Sequence, residues 1–218
     1  MADVSLVEVI ALLAHDVDGV ARGTGTHLDH GLTGALLMDL ALAGRIDVIG
    51  GHVVVTNPAA TDHPLTDAAL ARIQQERRAR EPRDWIVRLS GDVRSAVLSR
   101  LVETGLLRRE TDRLLKLFPR TRYPAPDGLE SLVETDARER MRGAVTGPGP
   151  VEPGTAVLCG LVSAMGWARR VLPDLPPQQV ETRFDEFRRT VWAANAVKQI
   201  IDDAESIRRA ATVAAATG

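Results

Sequence analysis

The densest grouping of reactive side chains in this 218-residue chain is His27-Leu28-Asp29-His30, two imidazoles and a carboxylate within four residues. A metal ion would take two or three ligands from that spacing and needs a distant fourth, which no Cys/His cluster or CxxC pair supplies. Asp29 has another use as an N-cap, its carboxylate accepting backbone amides at the start of a leucine-rich helix. His15, His52 and His63 stand alone and read as structural or surface residues. Cys159, the single cysteine, lies between Leu158 and Gly160 in an apolar run without a nearby histidine, so it reads as a small buried hydrophobe. The sequence has no GxSxG elbow, GxxxxGK[ST] loop or GxGxxG fingerprint. These readings point to a protein that is not an enzyme and uses no metal or cofactor.

Arginine is the residue type that stands out. The chain carries 25 arginines and 2 lysines, and its net charge of −2 hides an uneven distribution. From Arg72 to Arg122, 14 basic residues face 7 acidic ones, a local balance of +7 that leaves −9 for the remainder. A basic residue near an anionic bilayer contributes about 1 kcal/mol at moderate salt, so five or six on one face would suffice for reversible attachment. The alternative is a solvated helical surface with interspersed carboxylates. The most apolar helical stretch, Thr155 to Ala168, is shorter than the ~18 residues that suggest a membrane span. The N-terminal segment has no basic n-region, which suits a cytoplasmic protein whose membrane contact is peripheral.

The elements that would hold these residues follow from periodicity. Ser5 to His15 reads as a helix with Leu6, Ile10 and Leu13 on one face. Asp29 to Ala43 reads as a second, nearly buried helix with Leu32, Leu36 and Leu40 four apart, closed by Gly44 in a left-handed cap. The period then falls to two around Gly50-Gly51, a dipeptide suited to a tight hairpin. The same order recurs: a helix from Val93 to Thr104, Gly105 as its cap, then strands Leu106–Arg109 and Arg113–Phe118 around a Glu110-Thr111-Asp112 turn. Between the two units lie a helix from Thr66 to Arg80 and a short one from Arg83 to Leu89. Helices from Gly128 to Arg142, Thr155 to Val171 and Pro177 to Ile207 complete the chain. The expectation is a mainly α fold, a single compact helical domain with two short β-hairpins, covering residues 4–207 and followed by a frayed tail at 208–218.

Helix, glycine and hairpin also describe a winged-helix module, which makes a DNA-binding regulator one rival reading. The leucine-filled helix speaks against it, because from His30 to Ala43 it has no Arg, Lys, Asn or Gln to reach base edges. Nucleic acid is therefore disfavoured as a partner. A protein-interaction scaffold without lipid affinity, homo-oligomeric through the second hairpin, is the other alternative.

The run Gly31-Leu32-Thr33-Gly34-Ala35-Leu36-Leu37-Met38-Asp39-Leu40-Ala41-Leu42-Ala43-Gly44-Arg45-Ile46 resembles the hallmark segment of the Golgi phosphoprotein 3 family. Asp84-Trp85-Ile86-Val87-Arg88-Leu89-Ser90-Gly91, Arg100 to Leu107, Phe118 to Pro124 and Ala193 to Val197 extend the resemblance over nearly the whole chain. It implies a largely helical domain without catalysis that binds anionic membrane headgroups, phosphatidylinositol 4-phosphate among them, from the cytoplasmic face. In the family's eukaryotic members an aromatic residue and arginines hold the phosphate, and a guanidinium fork suits that oxyanion. Their positions fall here on Thr24, Thr33, Gly91 and Arg94, so Arg94 is the one retained. The family's lipid-facing hairpin corresponds to Leu106–Phe118. Its expected acidic tip, Glu110 to Asp112, opposes deep insertion among lipid tails. Arg108, Arg109, Arg113, Lys116, Arg120 and Arg122 are the cations around it. The expected lipid-binding residues are thus Arg94, Arg108, Arg109, Arg120 and Arg122.

Overall fold

Ser5 begins the first helix, its backbone N–H and hydroxyl both donating to the Glu8 carboxylate. The helix, α1 (Leu6–Ala14), is buried along its whole length. Such a helix cannot leave its first amides to water, and Leu6 and Val7 donate to the Asp39 carboxylate at 2.8 and 3.1 Å. Asp39 belongs to α2 (Gly25–Leu42), so the cap of one helix comes from the middle of the next. The computed structural model describes residues 4–21, 25–112 and 120–217.

Helix α2 is the hub. It packs on α1 and, further along the chain, on α3 (Pro64–Gln75), α4 (Pro82–Glu103), α6 (Pro153–Ala164) and α9 (Trp192–Thr217). Its small residues make this possible, since a Cβ at Gly34 would stand 2.8 Å from a Val197 methyl and 3.1 Å from a Leu161 methyl. At its C-terminus Gly44 has φ +66, and the Arg45 amide donates back to the Leu40 carbonyl at 2.9 Å. That is the expected left-handed cap. Strands β1 (Ile46–Ile49) and β2 (His52–Val55) pair antiparallel around Gly50-Gly51, both with positive φ.

Helix α2 begins four residues before the expected start, so Asp29 lies inside it and is not its N-cap. The two helices expected at 83–89 and 93–104 are one, α4. Gly91 faces open space on it, and its flexibility penalty of about 1 kcal/mol is outweighed by buried Leu89 and Val93 on either side. Gly105, with φ +75, ends α4 as expected.

The second hairpin is built differently from the expectation. Its strands are β3 (Glu110–Asp112) and β4 (Arg120–Arg122), with Glu110 opposite Arg122 and Asp112 opposite Arg120. The acidic triplet is therefore strand and not turn. Arg113 and Lys116 fall in the connection, outside the described residues.

The remainder is helical. In α5 (Leu132–Thr146) a Ser131/Glu134 capping box sets the start, and α6 begins on Glu152, whose carboxylate accepts from Gly154 and Thr155. A short α7 (Ala168–Val171) precedes α8 (Pro177–Thr190), which lies so close to α6 that a Cβ at Gly160 would be 3.2 Å from the Arg188 Cα. The single helix expected from Pro177 to Ile207 is broken at Val191, which adopts an extended conformation between α8 and α9. Helix α9 buries Ala193, Ala194, Ala196, Val197, Ile200 and Ile201, and from Asp202 to Thr212 it is half-buried or exposed. The chain past residue 207 is helical to Thr217. The architecture is mainly α with two small antiparallel hairpins around one hydrophobic core. Among the described residues no helix is long and apolar enough to cross a membrane.

Candidate functional site

The second hairpin is anchored at its stem by backbone hydrogen bonds. The Arg108 amide donates to the Pro124 carbonyl at 2.9 Å, Tyr123 donates to Gly19 at 3.2 Å, and Ala125 donates to Val17 at 3.2 Å. The loop after α1 thus runs directly beneath the strand that ends at Arg122. Gly19 is required there, because its φ is +76 and a Cβ would stand 2.3 Å from the Pro124 nitrogen. The Tyr123 ring meets His15 edge-on, with centroids 6.3 Å apart.

Arg94 approaches this region from the middle of α4. Its Nε lies 2.7 Å from an Asp29 carboxylate oxygen, and an Nη donates to the Gly25 carbonyl. The guanidinium therefore clasps the first turn of α2, and about 30% of the side chain remains exposed. Burial pushes the Asp29 carboxyl above its usual range, while the Arg94 charge and hydrogen bond hold it down. The same charge reaches His15, whose pKa is lowered mainly by burial although its Nδ1 lies 2.7 Å from the Ala11 carbonyl oxygen.

The arginines of the basic segment divide into two groups. Arg80 and Arg88 share Glu76, at 2.7 and 3.4 Å. Arg72 reaches Asp92, Arg83 reaches Asp203, and Arg100 lies 3.8 Å from the buried Glu8. With Arg94 on Asp29, most of the positive charge along α3 and α4 is answered by a carboxylate. Arg108 and Arg109 differ, being exposed and having no carboxylate within 4 Å among the described residues. Arg122 is half-buried in β4, and Arg120 holds the register position opposite Asp112. Of the five expected lipid-binding residues, the structure brings Arg108, Arg109, Arg120 and Arg122 together on the hairpin stem. It places Arg94 on α4 as a tether of α2.

Two features had no clear sequence signal. Asp29 is the partner of Arg94 across 65 positions, and nothing local announces that pair. Glu8 joins α1 to the rest of the fold, its carboxylate lying 3.4 Å from the His63 Nε2 as well as near Arg100. The Ser5-x-x-Glu8 spacing was the available hint, as a capping box.

His27 and His30 remain on α2 without a converging ligand set, since no group of three or more His, Cys, Asp or Glu side chains suited to a metal occurs among the described residues. Burial depresses the pKa of His30 and pushes the Cys159 thiol up to about 12, so the thiol is neutral at physiological pH.

His15 and His30 together give a pH prediction. Both have folded pKa values below the ordinary 6.5, so the unfolded chain binds more protons near and below that pH. Their contribution to stability is complete above pH 6.5 and falls as pH drops through that value. Urea denaturation between pH 7.5 and 5.5 is expected to show a declining midpoint, with a smaller decline in His15→Gln.

Of the positions that carry the ligand in the family the sequence resembles, Thr24 lies outside the described residues. Thr33 is fully buried with its hydroxyl donating to the Asp29 carbonyl, Gly91 is exposed on α4, and Arg94 is the tether described above. The family model for Golgi phosphoprotein 3 matches residues 6–204, from the first residue of α1 into the last helix. With both hairpins, the Gly44 corner and the whole buried core inside that match, the chain belongs to the Golgi phosphoprotein 3 family.

Proposed function

We propose that this protein binds anionic membrane headgroups peripherally, from the cytoplasmic side, without catalysing a reaction. The observation that carries the reading is the division of the arginines. Those along α3 and α4 mostly face carboxylates, whereas Arg108 and Arg109 are exposed on the hairpin stem with no carboxylate within 4 Å among the described residues. Exposed guanidinium groups without an internal ion pair can each meet a phosphate fork directly. Family membership supports the same reading.

The ligand preference follows from what surrounds Arg94. Thr33 is buried and Gly91 has no side chain, so a single phosphorylated headgroup meets one of the family's arginines and not three. The expected behaviour is a response to total negative surface charge, with phosphatidylinositol 4-phosphate acting through its charge. Flotation with vesicles of graded phosphatidylserine content, at matched charge with and without phosphatidylinositol 4-phosphate, tests this directly. Arg94→Gln is expected to weaken binding by less than about tenfold, because one cation near the surface contributes about 1 kcal/mol. Binding that requires the phosphoinositide would instead assign a discrete headgroup site, and absence of binding to every composition would favour a protein partner.

A further inference from the structure

The outer edge of β2 carries backbone groups that the fold leaves unused. The Thr56 amide donates to the Arg45 carbonyl at 2.9 Å, so Arg45 and Thr56 are a hydrogen-bonded pair at the base of the first hairpin. In an antiparallel ladder the neighbouring residue, Val55, then turns both its N–H and its C=O away from β1, as does Val53 two positions earlier. Val53 finds a partner on that side, its N–H donating to the Arg80 carbonyl at 2.9 Å in an antiparallel bridge. Val55 is only half-buried, and neither of its outward groups has a partner among the described residues.

The chain that bridges Val53 does not stay beside β2. A continued ladder would set Arg78 opposite Val55, but the Arg78 amide donates instead to the Glu76 carboxylate at 3.1 Å. A cavity of about 350 Å³ remains, lined by Val53 to Val55 of β2, by Ile73 of α3 and by Arg77 to Ala79.

The charges around this cavity are of one sign. Arg77 and Arg78 are exposed and have no carboxylate within 4 Å among the described residues. Glu76, the acid that lines the cavity, is already shared by Arg80 and Arg88.

We propose that this edge docks an extended acidic segment of a partner protein, which pairs with Val55 as an added strand and sets its carboxylates against Arg77 and Arg78. A donor and an acceptor offered by one residue are matched by one residue of an antiparallel strand, which returns both bonds. A lipid headgroup could answer the arginines but brings no backbone to match Val55. Side chains alternate along the guest, so the residue opposite Val55 falls on the same face as the Val55 side chain, which packs on the core. Its neighbours fall on the other face. The preferred sequence is thus an apolar residue flanked by acidic ones. The edge is separate from Arg94, Arg108, Arg109, Arg120 and Arg122, so its fate does not decide the membrane reading.

Titration of the full chain with acetyl-Glu-Glu-Val-Glu-Glu-amide, followed by calorimetry and heteronuclear NMR, tests the proposal. Saturable binding is expected, with the Val55 amide resonance moving downfield as its N–H gains an acceptor. N-methylation of the peptide's valine removes the donor to the Val55 carbonyl without altering charge, and is expected to weaken binding about fivefold or more. Arg77→Gln with Arg78→Gln, at two exposed positions, is expected to weaken it about tenfold or more. Equal binding of the N-methylated peptide, a Val55 amide that does not move, or no saturable binding would overturn the proposal. So would loss of anionic-vesicle binding in the Arg77/Arg78 variant when the unaltered protein binds no peptide, a result that would make this corner a lipid contact.

Discussion

Gly19→Ala is expected to destabilise the protein by about 3 kcal/mol, the sum of a left-handed backbone penalty of about 1–2 kcal/mol and an overpacking term of similar size. Both causes are present at this residue. Its φ is +76, and the added methyl would sit 2.3 to 2.5 Å from backbone atoms of Tyr123 and Pro124. A backbone neighbour cannot swing aside as the end of a side chain can. By contrast, a Cβ at Gly31 meets only the flexible tip of Met165, so Gly31→Ala is the milder change. Relief at Gly19 requires separating the loop after α1 from the hairpin stem, which breaks the Tyr123 to Gly19 and Ala125 to Val17 hydrogen bonds. Urea unfolding reads the stability loss. Hydrogen exchange at the Arg108, Tyr123 and Ala125 amides should show that the stem opens first, because it carries the strain.

Joint replacement of Arg108 and Arg109 by glutamate is expected to weaken binding to anionic vesicles about a hundredfold while leaving the fold intact. Each reversal removes an attraction of about 1 kcal/mol and adds a repulsion of similar size, before screening by salt. Neither side chain is buried and neither faces a carboxylate among the described residues, so the change breaks no internal ion pair. The control is Arg83→Glu with Asp203→Arg, which exchanges a surface pair at 2.6 Å without altering net charge. That double variant is expected to bind as the unaltered protein does. Retention of full binding after reversal at 108 and 109 would move the interface elsewhere, to the exposed Arg77 and Arg78 in the first instance.

Much of the fold was legible because its signals are local. Gly44 and Gly105 end their helices by supplying positive φ, and Gly50-Gly51 does the same for the first hairpin. The leucines of α2 recur at helical spacing, and all except Leu42 at its end are in the core. The departures are places where distant contacts decide. Ser90-Gly91 looks like a break, yet the burial of Leu89 and Val93 carries α4 straight through it. Glu110-Thr111-Asp112 looks like a turn by composition. Its pairing is instead set by the stem, where Arg108 is tied to Pro124 and Tyr123 to a loop more than 100 residues earlier. Val191 interrupts α8 and α9 without a proline or glycine to announce it.

The arginines show the same limit. Composition located the basic segment but not which of its charges are answered within the fold. That Asp29 faces Arg94, Asp203 faces Arg83 and Glu76 faces both Arg80 and Arg88 is tertiary information. Among the described residues it narrows an excess spread over fifty residues to Arg108 and Arg109 on the hairpin stem and the Arg77-Arg78 corner.

The central claim is that exposed arginines of the hairpin stem hold this protein to a charged lipid surface, and its most direct test is the partition constant on phosphatidylserine-containing vesicles at about 0.1 and 0.5 M salt. Screening shortens the reach of each exposed cation from about 10 Å to less than half that, so the account predicts a fall of at least tenfold. Binding that is strong at both salt concentrations, or that is equal on neutral and anionic vesicles, would contradict it.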